Sequence, residues 1–327
     1  MASIHLTRHT KDLIFDPTSR ATIDPSRSHR MSRLPHLHGI VPPLATPLRA
    51  DGTIDEDGLQ RLVEHQIRAG VHALWVLGTT AKFEMLGDHA QRVVAETVAR
   101  VSAGRVPLVL NVSDLSTERT LTRAARFDDL PYDYYAALPP WYVKITQSEV
   151  EGYFRSLADR LARPIIIYNA PWVCNQITLD QLRTLGDHPR IGGTKDVHSN
   201  LNATQDWPVA DRRRAEFTYL HGCDLMGTSA ALGADGFVPA LGNAFPELCV
   251  ALWDAARSGD AALAFNLQTQ VARIGRALSM GPMLACLEAA CRHRGLLDRM
   301  LPSPLQSLDQ PTTLRVIAAV EAAGMLP

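Results

Sequence analysis

The sequence predicts an α/β fold, a (β/α)8 TIM barrel with a helical appendage at its C-terminal end. Three observations carry this reading. From Gly39 onward, eight short apolar runs alternate with amphipathic stretches, as parallel strands do when covering helices bury them on both faces. Eight strand–helix units in succession close into a barrel more readily than they extend an open sheet, and the first turn lacks the Gly-rich fingerprint of a dinucleotide-binding sheet. After Pro246 the strand-like runs cease while helical periodicity continues.

In chain order, residues 1–36 form a segment of Arg, His, Ser, Thr and Asp without helical or alternating period, read as a flexible N-terminal extension. Its Arg- and Ser-rich composition suits a transit peptide, but Asp12, Asp16 and Asp24 argue against one, and Met31 offers an alternative start. The barrel is assigned to 37–245 and a C-terminal helical region to 246–327. The predicted strands are Gly39 to Val41, His72 to Leu77, Val106 to Leu110, Tyr134 to Leu138, Ile165 to Tyr168, Ile191 to Thr194, Phe217 to Leu220 and Gly236 to Ala240. Asp55 precedes the stripe Leu59, Leu62, Val63, Ile67, and Thr146 with Glu149 forms a capping box before Tyr153, Phe154 and Leu157. The later helices are expected near 246–258, 260–279, 281–296 and 311–324, broken at Gly281 and between Pro302 and Pro311.

The chain has 327 residues, 46% of them apolar and 20% charged, enough for one large core. A formal net charge of -1 provides no basic footprint for nucleic acid or an anionic membrane. No run approaches the ~20 apolar residues that span a bilayer, and no secretory h-region is present. These features predict a cytoplasmic protein acting on a small molecule. The cysteines, Cys174, Cys223, Cys249, Cys286 and Cys291, have no CxxC spacing and read as buried free thiols. The histidines form no HExxH pair, and His36 with His38 falls in the flexible lead-in, so neither metal nor cofactor is expected.

Active sites of such barrels lie at the C-terminal ends of the strands, which directs attention to four strand ends. These are Gly78-Thr79-Thr80, Pro139-Pro140-Trp141-Tyr142, Tyr168-Asn169-Ala170-Pro171 and Thr194-Lys195-Asp196. A lysine closing an apolar strand faces a partly desolvated mouth, where burial lowers its pKa and supplies the neutral amine that attacks a ketone. On position alone, Lys195 paired with Asp196 at the rim is the competing reading. Tyr168 on the adjacent strand favours catalysis, because a phenol can donate and accept the protons of carbinolamine collapse; as a packed tyrosine it would do neither. Gly78-Thr79-Thr80 brings hydroxyls and consecutive N–H groups suited to a carboxylate, though the tripeptide is also a common turn.

These segments, with the IVPPLATPL start, Phe83 and Leu86 after GTT, PPWY, YNAP, GGTKD and GADGFVPALGN, resemble the dihydrodipicolinate synthase and N-acetylneuraminate lyase family over residues 39–325. The resemblance implies a class I aldolase, a lyase whose Schiff base forms on Lys195, with Tyr168 shuttling protons. It implies that Thr79 links Tyr168 to a second tyrosine, Tyr142, lent across a subunit interface. It further implies that Thr80, beside Gly78, holds the carboxylate of a 2-oxo acid such as pyruvate, and that Val238 turns a backbone carbonyl to the substrate. A homo-oligomer, tetramer or dimer, follows.

The chain also departs from the family. Ala81-Lys82 replaces the usual Gly-Glu after GTT; Lys82 either alters substrate choice or is a solvated residue partnered by Glu84. Where dihydrodipicolinate synthases carry a carboxylate-gripping arginine two residues past the YNAP proline, this chain has Val173, preceded by Trp172; Trp172 either meets a bulkier substrate or packs in the loop. Asn111 stands in place of a glycine just past Leu110, as a substrate contact or a loop cap. The expected function is therefore aldol cleavage or condensation of a 2-oxo acid with an aldehyde-type partner. The alternatives are a dehydratase or hydratase-aldolase acting on a 2-keto-3-deoxy acid through the same iminium, dihydrodipicolinate synthase itself, and a non-catalytic barrel used for binding or regulation.

Overall fold

A computed structural model describes residues 36–197, 216–222 and 224–324, all within one unit that begins at Pro35. The N-terminal extension before residue 36 and Cys223 lie outside the described residues. Eight parallel strands form one sheet: β1 (Gly39–Ile40), β2 (Leu74–Val76), β3 (Leu108–Asn111), β4 (Tyr134–Ala137), β5 (Ile165–Asn169), β6 (Ile191–Asp196), β7 (Thr218–His221) and β8 (Gly236–Phe237). From β2 to β8 each strand pairs with its sequence neighbour, and β8 pairs with β1, whereas β1 and β2 share no ladder and the chain after β1 meets β2 through the isolated bridge Pro43–Trp75.

The sheet closes at β1. On one side Val41 N donates to Phe237 O at 2.8 Å; on the other, His72 N donates to Ile40 O at 2.8 Å and Leu44 N to Trp75 O at 2.9 Å. Pro42 and Pro43 have no N–H to give, so this second side is a sparse ladder in which the Pro42 carbonyl only accepts. Trp75 N reaches Pro42 O at 3.1 Å. Asn243, from the GADGFVPALGN segment, reinforces the seam: its Oδ1 accepts from Ala45 N at 2.8 Å and its Nδ2 donates to Pro43 O at 2.9 Å.

Around the strands lie α1 (Glu56–Arg68), α2 (Asp88–Ser102), α3 (Thr117–Ala125), α4 (Gln147–Arg160), α5 (Leu179–Gly186), α6 (Met226–Ala231) and α7 (Pro246–Ser258). Then follow α8 (Ala261–Leu278), α9 (Met283–His293) and α10 (Gln310–Ala322), the helical appendage. The connection from β6 to β7, 198–215, is outside the described residues. The capping box at α4 forms in both directions, Glu149 N to Thr146 Oγ1 at 3.3 Å and Thr146 N to Glu149 Oε2 at 2.6 Å. Asp55 occupies the N-cap of α1, yet its side chain makes no cap bond and instead stands 3.7 Å from Arg61.

The structure corrects the sequence reading at several boundaries. β3 runs through Asn111, which pairs with Ala136, so Asn111 is the last strand residue and not a loop cap. β6 runs through Lys195 and Asp196, paired with Leu220 and His221. A polar residue ends an apolar run in the sequence, but backbone pairing is indifferent to side-chain polarity and continues past it. The His36 and His38 lead-in is packed: Leu37 is buried, His36 Nδ1 lies 3.3 Å from Thr218 Oγ1, and the His38 ring meets His72 edge-on at 5.1 Å. Cys174, Cys249, Cys286 and Cys291 are free and buried, and burial pushes the Cys174 thiol up to about 11. No helix among the described residues is long and apolar enough to cross a membrane.

The seam supplies a test of closure. A Cβ on Gly236 would fall 2.3 Å from Gly39 O and 2.6 Å from Gly39 N, backbone atoms that cannot yield without separating β8 from β1. Gly236→Ala is expected to destabilise the fold by ~3 kcal/mol, read as a lower midpoint in urea unfolding. An unchanged midpoint would show that the seam does not hold the barrel.

Candidate active site

Side chains of paired residues on neighbouring parallel strands point to the same face, so the register identifies the interior. Tyr168 pairs with Lys195. Two residues earlier on β5, Ile166 aligns with Ala136 and through it with Asn111, while Trp75 aligns with Val109, two residues before Asn111. Trp75, Asn111, Tyr168 and Lys195 therefore share the interior face.

There Lys195 Nζ lies 4.0 Å from the Tyr168 ring centroid and 5.0 Å from that of Trp75. The two rings meet edge-on with centroids 5.5 Å apart. Tyr168 OH and Thr79 Oγ1 are 3.1 Å apart, joining β5 to the turn after β2. Lys195 is only 4% exposed and makes no ion pair among the described residues. Asp196 does not compete for it: successive strand residues face opposite ways, and Asp196 Oδ1 accepts from Asn169 Nδ2 at 3.1 Å on the other face. Burial alone brings the Lys195 amine down to about 7. Burial also pushes the Tyr168 phenol up to about 12, against the lowering effect of the Thr79 hydroxyl, so it holds its proton throughout the neutral range.

Thr79 and Thr80 open a short 3-10 turn, Thr79–Ala81, with Gly78 at its N-cap. The leading N–H groups of such a turn have no partner within it, and the buried Thr80 hydroxyl makes no hydrogen bond among the described residues. The turn follows β2 directly. Its position is held from outside the barrel: Gln91 Nε2 donates to Phe83 O at 3.0 Å and Leu86 O at 2.8 Å, and its Oε1 accepts from Arg123 Nη1 at 2.7 Å. Arg123 in turn grips Asp114 at 2.8 Å, as Arg119 does at 2.6 Å. Burial raises the Asp114 carboxyl, but the two arginines outweigh it and leave it below its ordinary value.

Of the residues singled out in the sequence, the structure brings together Lys195, Tyr168 and Thr79. Val238 is buried beyond β8 with its N–H tied to His221 O at 3.0 Å. Tyr142 stands apart: it is 96% exposed, in a left-handed backbone conformation at φ 76°, and makes no bond to Thr79 within the chain. A tyrosine at positive φ stores strain of about 1–3 kcal/mol. Trp172 and Val173 are also exposed, on the turn where Val173 N donates to Ala170 O at 2.9 Å. Lys82, at φ 54°, pairs with Glu84 at 3.4 Å.

Sequence reasoning missed Trp75. Its signal was present, since an aromatic three residues before Gly78 at an interior parity must fill the barrel beneath the turn. A Cβ on Gly78 would come within 3.0 Å of the Trp75 ring, so glycine there makes space for the indole.

A barrel whose strand ends converge a desolvated amine, a phenol and a hydroxyl belongs to the (β/α)8-barrel enzymes. Residues 36–323 match the model of the dihydrodipicolinate synthetase family, and the chain belongs to that family, an enzyme of the lyase type. It is 30% identical over 298 residues to 4-hydroxy-tetrahydrodipicolinate synthase of Phenylobacterium zucineum, covering 89% of this chain and 99% of the relative. Among solved structures it is similar to YagE, a prophage protein of the dihydrodipicolinic acid synthase family from E. coli K12 in complex with pyruvate. That likeness has a TM-score of 0.84 and 25% identity over 89% of this chain and 99% of YagE. The Ruminococcus gnavus sialic acid aldolase catalytic lysine mutant shares the fold, with a TM-score of 0.81 and 21% identity over 88% and 95% of the two chains.

Competitive acetylation with acetic anhydride, followed by mass spectrometry across a pH series, tests the amine directly. Only the neutral amine reacts, so labelling of Lys195 should rise with pH through a midpoint near 7 and level off above it. A midpoint near the ordinary lysine value of 10.5 would contradict the desolvated environment.

Proposed function

We propose that the chain is a class I lyase that joins or cleaves a 2-oxo acid, pyruvate in the simplest case, and an aldehyde-type partner. The observation that carries this is the buried Lys195 amine, unpaired with any carboxylate among the described residues and set against Tyr168, whose hydroxyl meets Thr79. Likeness to a family member in complex with pyruvate supports the choice of 2-oxo acid.

In this reading the Lys195 nitrogen attacks the ketone carbon, the oxygen leaves as water with protons delivered by Tyr168, and an iminium forms. The Tyr168 oxygen, left as phenolate by the water-forming step, takes up a C3 proton to give the enamine. Its C3 bonds to the aldehyde carbon, whose carbonyl electrons move to oxygen and take up a proton, and water then hydrolyses the iminium to return the amine. Cleavage runs the same steps backward. Thr80 and the N–H groups beside Gly78 hold the carboxylate, and Val238 turns its carbonyl toward the substrate. Tyr142 extends the Tyr168–Thr79 chain from a partner subunit in a homodimer or homotetramer, which would give its strained, exposed conformation a purpose. The assignment to the cytoplasm belongs to the same reading.

Dihydrodipicolinate synthase is the less favoured activity. Val173 and Trp172 occupy the turn where that activity requires a guanidinium, and neither can hold a carboxylate bidentately. A dehydratase working through the same iminium would lose water from its substrate without releasing pyruvate, so the products separate the two.

Incubation with pyruvate and borohydride should add a reduced pyruvoyl mass to Lys195 in the wild type and none in Lys195→Ala. Absence of the adduct with any 2-oxo acid would overturn the proposal. Tyr168→Phe should fold normally and lose ~10²-fold or more in turnover, measured as product formation from pyruvate and an accepted aldehyde. A loss below threefold would remove Tyr168 from the proton path.

A further inference from the structure

Alternate residues from β1 onward face β2: Gly39 N and Val41 N donate to Asp235 O and Phe237 O on the β8 side, while Ile40, Pro42 and Leu44 turn the other way. Pro42 has no N–H, so of these three only Ile40 and Leu44 can donate toward β2. Leu44 N reaches a backbone carbonyl, Trp75 O, at 2.9 Å. Ile40 N does not: its acceptor is the His72 imidazole, at Nδ1, 3.1 Å away. A side chain thus stands where a sheet would place a carbonyl, between two strands that share no ladder. The ring is built into this position. It lies so close over Gly39, at φ 71°, that a Cβ there would fall 2.3 Å from His72 Cγ, and His72 N also donates to Ile40 O at 2.8 Å.

A backbone N–H can only donate, so Nδ1 must be the ring nitrogen without a proton. A protonated imidazole carries N–H at both positions and has no lone pair left for Ile40. We propose that His72 is a pH-sensitive latch on the barrel seam: the neutral ring closes β1 against β2, and a proton on Nδ1 releases Ile40 and opens that edge. The groups that face the ring are His38 from the lead-in, edge-on with centroids 5.1 Å apart, and Trp253 and Asp254 from α7, the indole edge-on at 6.4 Å. Burial, and after it the His38 charge, holds the imidazole below its ordinary value of 6.5, while Asp254 acts in the opposite sense. The released ring therefore takes up a proton more readily than the latched one. The latch is at full strength above pH 6.5 and weakens as pH falls through that value, until the latched ring is itself protonated. Nothing in this depends on the chemistry at Lys195.

Amide hydrogen exchange of the full chain, resolved to single residues by electron-transfer fragmentation and mass spectrometry, tests the latch when each rate is divided by that of the unfolded chain at the same pH. Between about pH 8 and about pH 5 the protection of the Ile40 amide should fall ~10-fold or more, while that of Val41, which donates on the β8 side, should change less than about twofold. His72→Asn puts a carboxamide oxygen where Nδ1 lies, an acceptor that does not titrate, and should hold Ile40 protection within about twofold over the same range. A wild type in which Ile40 and Val41 lose protection together has loosened as a whole and overturns the latch, as does one in which Ile40 keeps its protection. A loss at Ile40 that persists in the asparagine variant assigns the acid effect to His38 or Asp254 and overturns it too. Should that variant fail to fold, the comparison of Ile40 with Val41 in the wild type decides alone.

Discussion

The interior chemistry depends on the closure of β1 between β8 and β2. A lysine amine loses water only if the sheet around it is continuous, and β1 is the strand least equipped to make it so. It is two residues long and followed by Pro42 and Pro43, which cannot donate to a ladder. The gap is bridged by other means: Gly39 and Gly236 allow the two backbones to touch, and Asn243 ties its amide to Ala45 and Pro43 across the seam. Residues some 200 positions apart thus set the dielectric in which Lys195 sits.

That dielectric explains the division of labour at the strand ends. Burial acts on an amine and a phenol in opposite directions along the pH scale, since it disfavours the charged form of each. The same enclosure brings Lys195 down to about 7 and pushes Tyr168 up to about 12, so near neutral pH a neutral amine is available beside a protonated phenol, the states the proposed reaction calls for. Trp75 contributes by filling the space beneath them, its ring in contact with both. The outer network of Asp114, Arg123 and Gln91 carries no chemistry of its own. It ties the segment Phe83–Leu86, which follows the Thr79-Thr80 turn, to the outer helices.

The turns after β4 and β5 are less determined within one chain. Tyr142, Val143, Trp172 and Val173 all expose apolar surface around the mouth, and Tyr142 does so at a strained backbone angle. Such strain persists only where surrounding structure imposes it or a contact repays it.

Alternation of apolar runs with amphipathic stretches was enough to determine the eight strands, their order and the helical appendage, because burial on both faces of a parallel strand leaves that mark on any sequence. Lys195, Tyr168 and Thr79 were legible for a related reason: reactive side chains are conspicuous at the end of an apolar run. Polarity hid the rest. Asn111 and Lys195 interrupt apolar runs, so the sequence pattern ended β3 and β6 too early, whereas backbone pairing carried both strands onward. Trp75 falls inside the predicted strand His72 to Leu77, where its spacing from Gly78 signals an interior position but not the lysine it meets. Only the tertiary register, which aligns strands far apart in sequence and so decides which side chains share the interior, could set the indole beside the lysine and leave the Asn111 amide facing inward.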